Sequence, residues 1–174
     1  RGYFEILRLK TTPPKRPLLN KQVESLPANP LPALDLPNAE TLQFEFEWAG
    51  ALSPVTPDGK VDQTFWTINR RAWEGLSATN LPAPLATVPL GKTVIMNLHN
   101  STPHGHPIHM HGIIFTVLKS DKREIIPFQS DTVLLERNER ATIAFVADNP
   151  GRWMFHCHVI EHMKTGLMGY ITIA

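Results

Sequence analysis

The segment RWMFHCHVIEHMKTGLM, Arg152 to Met168, sets the chain's one cysteine, Cys157, between His156 and His158. Successive side chains of a strand project to opposite faces. As a strand, the segment turns His156 and His158 one way and Cys157 the other, so one metal ion cannot easily use all three. Two sites back to back can: one built on the thiol, the other on the imidazoles. The backbone of a single strand then joins them. The pattern therefore demands an extended conformation here, and a helix would destroy it.

The rest of the chain supplies the β-structure this requires. In LQFEFEW, Leu42, Phe44, Phe46 and Trp48 alternate with Gln43, Glu45 and Glu47, the period-two signature of a half-buried strand. KTVIMNLHN places Val94, Met96 and Leu98 on one face. FWTINRRAW, HGIIFTVLKS, DTVLLE, ATIAFVAD and GYITIA add short β-prone runs punctuated by Gly, Pro, Asn and Asp. No long segment has helical periodicity. Short strands with turns between them predict an antiparallel sandwich or barrel. Before them, TTPPKRPLLN and LPANPLPALDLPN are too proline-dense for helix interiors or central strands and read as an extended linker. The opening RGYFEILRLK reads as a strand with no partner in this chain, and so as the last strand of a preceding domain.

With 174 residues there is room for one domain with a sizeable core and a connecting arm. A net charge of +1 and no clustered basic stripe argue against nucleic acid or an anionic membrane as partner. No apolar run approaches the roughly 20 residues of a transmembrane helix. A single cysteine forms no internal disulfide, which leaves the redox compartment open. The chain begins at Arg1 rather than Met, which suggests a mature or cleaved form.

All eight histidines lie between His99 and His162, and two clusters carry the chemistry. The first is HPIHMHG, with His106, His109 and His111; the second is HCHVIEH, with His156, Cys157, His158 and His162. His109 and His111, two apart, share a face, while Pro107 redirects His106. Gly166 permits a turn that returns His162 toward the cysteine. His106, Cys157 and His162 offer two imidazoles and a thiolate, the ligand set of a blue-copper centre, where the weak axial group is often methionine. His109, His111, His156 and His158 form an all-imidazole set that suits copper, iron, nickel or zinc by softness alone. One cysteine among six histidines on two faces fits a closed structural zinc site poorly.

HPIHMHG and HCHVIEHMKTGLMG together resemble the C-terminal cupredoxin domain of multicopper oxidases, the family of laccases, bilirubin oxidases and cuprous oxidases. FWTINRRAW and DTVLLE are also similar to that family, and the resemblance covers about Leu36 to Ala174. YFEILRL is similar to the closing strand of the family's middle domain. The resemblance implies an all-β fold, a Greek-key cupredoxin-like sandwich or barrel preceded by a proline-rich arm. The expected division is residues 1–10 as a strand of the preceding cupredoxin domain, 11–35 as linker and 36–174 as the C-terminal cupredoxin domain. It implies that His106, Cys157 and His162 bind type 1 copper, which takes electrons from the reductant. His109 would bind type 2 copper, and His111, His156 and His158 the type 3 pair. A complete enzyme would hold four copper ions and reduce dioxygen to water at a trinuclear cluster.

That cluster takes eight histidines in the family, and the matched positions supply four. The expected partner is the N-terminal chain or fragment of the same oxidase, carrying the rest. Where many bacterial members have an axial methionine, this chain has Leu167, followed by Met168. Leucine cannot coordinate, so the type 1 potential should be high. Met163 stands where some relatives have an acidic residue linked to proton delivery, leaving Glu161 or the rest of the protein for that role. The resemblance also implies a periplasmic or extracellular setting.

The expected function is a laccase-like oxidation of phenols or aromatic amines coupled to dioxygen reduction. A dedicated oxidase of cuprous or other metal ions is the nearest alternative. A blue-copper electron-transfer module leaves His109, His111, His156 and His158 unexplained. Copper nitrite reductases place one histidine beside the cysteine rather than two, and a copper store without turnover stays open. His99 and His104 read as residues without copper, and Met110, Met154, Met163 and Met168 as core packing. Asp131 reads as the polar start of a strand, with support of a metal-ligating side chain as the alternative, and Glu45 and Glu47 as a solvated face. Asn100 opens NST, a short glycosylation pattern to which no role is assigned.

Overall fold

The alternation in residues 42–48 becomes β1 (Glu40–Trp48), whose Phe44 and Phe46 are buried while Gln43 and Glu45 face out. The computed structural model describes residues 7–10, 12–13, 25–48, 64–73 and 81–174. They fall in two units, Arg1–Pro30 and Leu31–Ala174. Of the strand expected over residues 1–10, positions 1–6 lie outside the described residues, and 7–10 are exposed and irregular. Residues 25–35 have no helix or strand, in keeping with their prolines. A single 3₁₀ turn, Leu36–Asn38, precedes β1 and holds Pro37 in its first turn.

Two sheets follow. The first has β2 (Trp66–Ile68), β1, β4 (Thr93–Asn100), β9 (Arg140–Val146), β6 (Phe115–Ser120) and β7 (Phe128–Ser130), in that spatial order. The second runs β3 (Ala86–Val88), β11 (Met168–Ile173), β10 (Gly151–Cys157), β5 (His106–Met110) and β8 (Thr132–Leu135). The all-β sandwich expected from the sequence is thus observed, with one correction: the sheets are mixed. β1 lies parallel to β4 and β3 parallel to β11. A parallel neighbour needs a long crossover, and each pair is separated by a long stretch of chain that supplies one.

The apolar faces of the two sheets meet in one core. Phe44, Phe46, Met96, Leu98 and Ile143 come from the first sheet; Ile108, Met110, Phe155 and Ile171 from the second. Phe155 has the Phe44 ring edge-on at 5.2 Å and Phe46 at 5.9 Å. Burying each such ring contributes about 2–3 kcal/mol. Cys157 lies at the end of the same inward row, fully buried. The one helix among the described residues, α1 (Ile160–Lys164), is barely more than a turn and connects β10 to β11. No helix among the described residues is long and apolar enough to cross a membrane.

Candidate metal centres

Strand pleating decides where each ligand atom goes. On β10, Phe155 and Cys157 face the core and His156 faces the other way. On β5, His106, Ile108 and Met110 face inward, and His109 outward. The register pairs Cys157 with Ile108 and His156 with His109. Two groups of side chains that could hold a metal ion result, one on each side of β10: His106, Cys157 and His162; and His109, His111 and His156.

In the first group, His106 Nδ1 and His162 Nδ1 are 3.1 Å apart, and Cys157 Sγ lies 3.6 Å and 3.7 Å from them. A point equidistant from all three atoms is about 2.0 Å from each, close to a first-row metal–imidazole bond of about 2.0–2.1 Å. The donor set and its spacing fit a copper ion. His162 is carried by α1, and Gly166, at φ +122°, turns the chain back behind it. A Cβ on Gly166 would stand 2.1 Å from the Trp66 carbonyl oxygen. That close approach lets Thr165 O accept from Phe65 N–H (2.8 Å) and Trp66 N–H (3.1 Å). The Trp66 ring is thereby laid against both histidines, 4.8 Å from His106 and 4.6 Å from His162 between centroids.

Leu167 is fully buried in the core cluster that contains Cys157, and its carbonyl accepts the Cys157 N–H at 3.0 Å. Met168 packs instead with Trp73 and Tyr170, joined by the half-buried Met154 and Met163. Met110 lies in the main core. The methionines are therefore packing residues in this structure.

In the second group, His111 Nε2 and His156 Nε2 are 3.0 Å apart. His156 Nδ1–H donates to the Cys157 carbonyl at 2.8 Å, and His109 Nδ1–H to the Asp131 carbonyl at 2.9 Å. Each bond uses Nδ1 and leaves Nε2 as the lone-pair atom. His158 lies just beyond the end of β10, 6.1 Å from the His156 ring and 5.6 Å from His109. It is exposed, and stands beside the three-residue group rather than within it.

Burial shifts the protonation of four of these histidines and of the cysteine. His106 is lowered to about 4, first by burial and then by the charges of His162 and His104. His162, His111 and His156 are lowered too, burial again being the largest cause. All four are neutral near pH 7 and have no proton to lose before ligating. Cys157 is pushed up to about 11 by burial, so a metal must displace its proton.

Several neighbours surround the two groups. Asp131 does more than begin a strand, since its carbonyl orients His109. Trp66 forms an aromatic wall of the first group. His104 is exposed and stacks on Trp48 at 5.9 Å, while His99 pairs with Glu45 at 3.3 Å. Asn100, in the NST pattern, is completely buried.

Residues 54–174 match the multicopper oxidase family. Multicopper oxidase MmcO of Mycobacterium tuberculosis is 38% identical over 114 residues, 66% of this chain and 21% of that protein. Laccase-3 of Oryza sativa subsp. japonica is 34% identical over 126 residues, 66% of this chain and 22% of its own length. A crystal structure of a multi-copper oxidase from Pseudomonas thermotolerans aligns at TM-score 0.73 and 45% identity, over 86% of this chain and 33% of that one. The chain spans about a fifth of the length of these curated relatives.

Proposed function

The chain belongs to the multicopper oxidase family, and we propose that it is the electron-accepting C-terminal part of a laccase-like oxidase. Residues 36–174 are the cupredoxin domain, 11–35 a linker, and 1–10 belong to the cupredoxin domain before it. His106, Cys157 and His162 hold type 1 copper; His109 holds type 2; His111, His156 and His158 serve the type 3 pair. The N-terminal part of the same oxidase supplies the other cluster histidines, and the protein works in the periplasm or outside the cell. The reductant is a small phenol or aromatic amine.

When bound, copper supplies one-electron redox chemistry at the thiolate group and dioxygen reduction at the histidine group. The chain's own residues do the rest. Burial keeps His106 and His162 neutral and ready to ligate. The Asp131 and Cys157 carbonyls orient His109 and His156. The Trp66 ring packs against His106 and His162, and Leu167, buried in the same core as Cys157, has no atom that could ligate a metal. The observation that carries the proposal is the back-to-back placement of the two groups on β10. From Cys157 Sγ, three covalent bonds reach its carbonyl carbon, and the carbonyl oxygen accepts the His156 Nδ1–H at 2.8 Å. That is a short path between the groups.

Leu167 and the packed methionines favour an aromatic reductant over a cuprous ion. The test uses the full-length oxidase: copper counting, visible absorption and oxygen uptake. Four coppers, an intense thiolate–copper band and phenol-dependent oxygen uptake support it. One copper without oxygen uptake would leave only an electron-transfer module. Uptake driven by cuprous ion but by no phenol would favour the metallo-oxidase.

A further inference from the structure

Asn100, Thr102 and His106 are each 0% exposed and form one hydrogen-bonded chain. Asn100 Nδ2 donates to the carbonyls of His104 (2.7 Å) and Glu136 (2.8 Å), with that of Leu135 at 3.4 Å. Carbonyls only accept, so this end of the amide is the NH₂ and the other is Oδ1. Oδ1 accepts from the Thr102 backbone N–H at 3.0 Å and from the Thr102 hydroxyl at 2.8 Å. The hydroxyl has one proton. Were it aimed at His106, two acceptor oxygens would face each other at 2.8 Å with nothing between them. Its other acceptor, the His104 carbonyl at 3.3 Å, also lies away from His106. Either way, Thr102 Oγ1 meets His106 Nε2, 2.8 Å off, as an acceptor. Nε2 therefore carries the ring hydrogen. Nδ1, the atom 3.6 Å from Cys157 Sγ and 3.1 Å from His162 Nδ1, is left with a bare lone pair.

We propose that Asn100 and Thr102 are positioning residues that select the tautomer and ring orientation of His106, presenting Nδ1 to the mononuclear metal. This rests on the proposal that His106 is a ligand there. Without the pair, the imidazole can turn over or place its N–H toward the metal, and binding must first undo that. Positioning partners of ligating histidines typically change metal affinity by about 10–100-fold. Thr102 and Asn100 thus do for His106 what the Asp131 and Cys157 carbonyls do for His109 and His156, but with side chains.

The test compares the full-length protein with its Thr102→Val and Thr102→Ser variants. Cuprous affinity by chelator competition should fall about 10–100-fold in Thr102→Val and return to near wild type in Thr102→Ser. In the metal-free protein labelled with ¹⁵N-histidine, the His106 signal, assigned by its loss in His106→Gln, should show hydrogen on Nε2. Thr102→Val should lose that single tautomer. A wild-type His106 protonated on Nδ1, or Thr102→Val binding copper as tightly as wild type, would overturn the proposal. Should Thr102→Val fail to fold, the wild-type tautomer decides. A wild-type protein with the Nε2–H tautomer but no thiolate–copper band would sink the functional proposal and overturn the metal-presenting role with it, leaving only the selection of the His106 tautomer by Thr102.

Discussion

Replacing Gly166 with alanine would disturb the thiolate group without touching a ligand. Gly166 has φ +122°, a region other residues rarely enter, and its missing Cβ is filled by the Trp66 carbonyl oxygen. The backbone strain alone costs about 1–3 kcal/mol. The obstructing atom is backbone, so β2 must retreat rather than a side chain swing aside. That retreat weakens the bonds from Phe65 N–H and Trp66 N–H to Thr165 O and from Trp73 N–H to Gly166 O, each worth about 1 kcal/mol. With all three lost the sum is about 4–6 kcal/mol, so the thermal transition of this domain should fall by roughly 8–24 °C. Trp66 would also leave His106 and His162, so the copper-loaded protein should show a weakened or shifted thiolate–copper band. Differential scanning calorimetry of the metal-free protein and visible spectra of the loaded one read both effects. A shift under about 3 °C with an unchanged band would refute the close-packing argument.

If the thiolate group holds copper as proposed, Leu167→Met should lower that ion's reduction potential by adding a thioether at a position buried with Cys157; the volumes are similar, so the stability cost should stay under about 1.5 kcal/mol. Redox titration giving an equal or higher potential would contradict this. Metal-free stability should depend on pH at both ends. Unfolded histidine protonates near 6.5 and His106 in the fold only near 4, so stability is full above 6.5 and is lost as pH falls toward 4, by on the order of 3 kcal/mol. The Cys157 thiol, ionising near 9.0 when unfolded and near 11 when folded, removes stability as pH rises between those values. Urea melts should therefore peak between pH 6.5 and 9, and a maximum at pH 5 would break the argument. Asn100 should carry no glycan in protein secreted from a eukaryotic host, because its Nδ2 is buried and already bonded; glycopeptide mass spectrometry checks it.

How much of this was legible in the sequence follows from whether the signal was local. β1 and β4 were readable because their alternation runs for seven or more residues and buries one face. β3 and β7, three residues each, were not; they are the edge strands of their sheets and too short for a period to register. The parallel pairings were missed because a strand's pattern does not say which neighbour it will take. Among the candidate ligands, Cys157 and the histidines were legible from two-residue spacing, which maps directly onto pleating. Trp66, Thr102 and the Asp131 carbonyl were not, since each reaches its histidine through a turn or register unrelated to motif spacing. Trp66 depends on Gly166 lying under it, and Asp131 on the pairing of His109 with Thr132. The NST pattern is assigned no role from the sequence, and nothing in three letters shows that Asn100 and Thr102 are buried at the end of β4.

Cys157 binds the two groups into one mechanical unit. Its N–H donates to Leu167 O at 3.0 Å, and its carbonyl accepts from His156 Nδ1 at 2.8 Å. Both backbone polar groups are thus committed, one toward the turn behind His162 and one toward the histidine group. A slip of one residue in β10 would turn Cys157 outward and His156 inward together. The strand therefore cannot adjust one group without the other. What can change independently are the supports at either side: residues 100–106 and α1 for the thiolate group, and the Asp131–Thr132 corner for the histidines. Substitutions at Thr102 should accordingly alter the thiolate band and leave the histidine group's copper in place, whereas substitutions that move Phe155 or the backbone of Cys157 should disturb both.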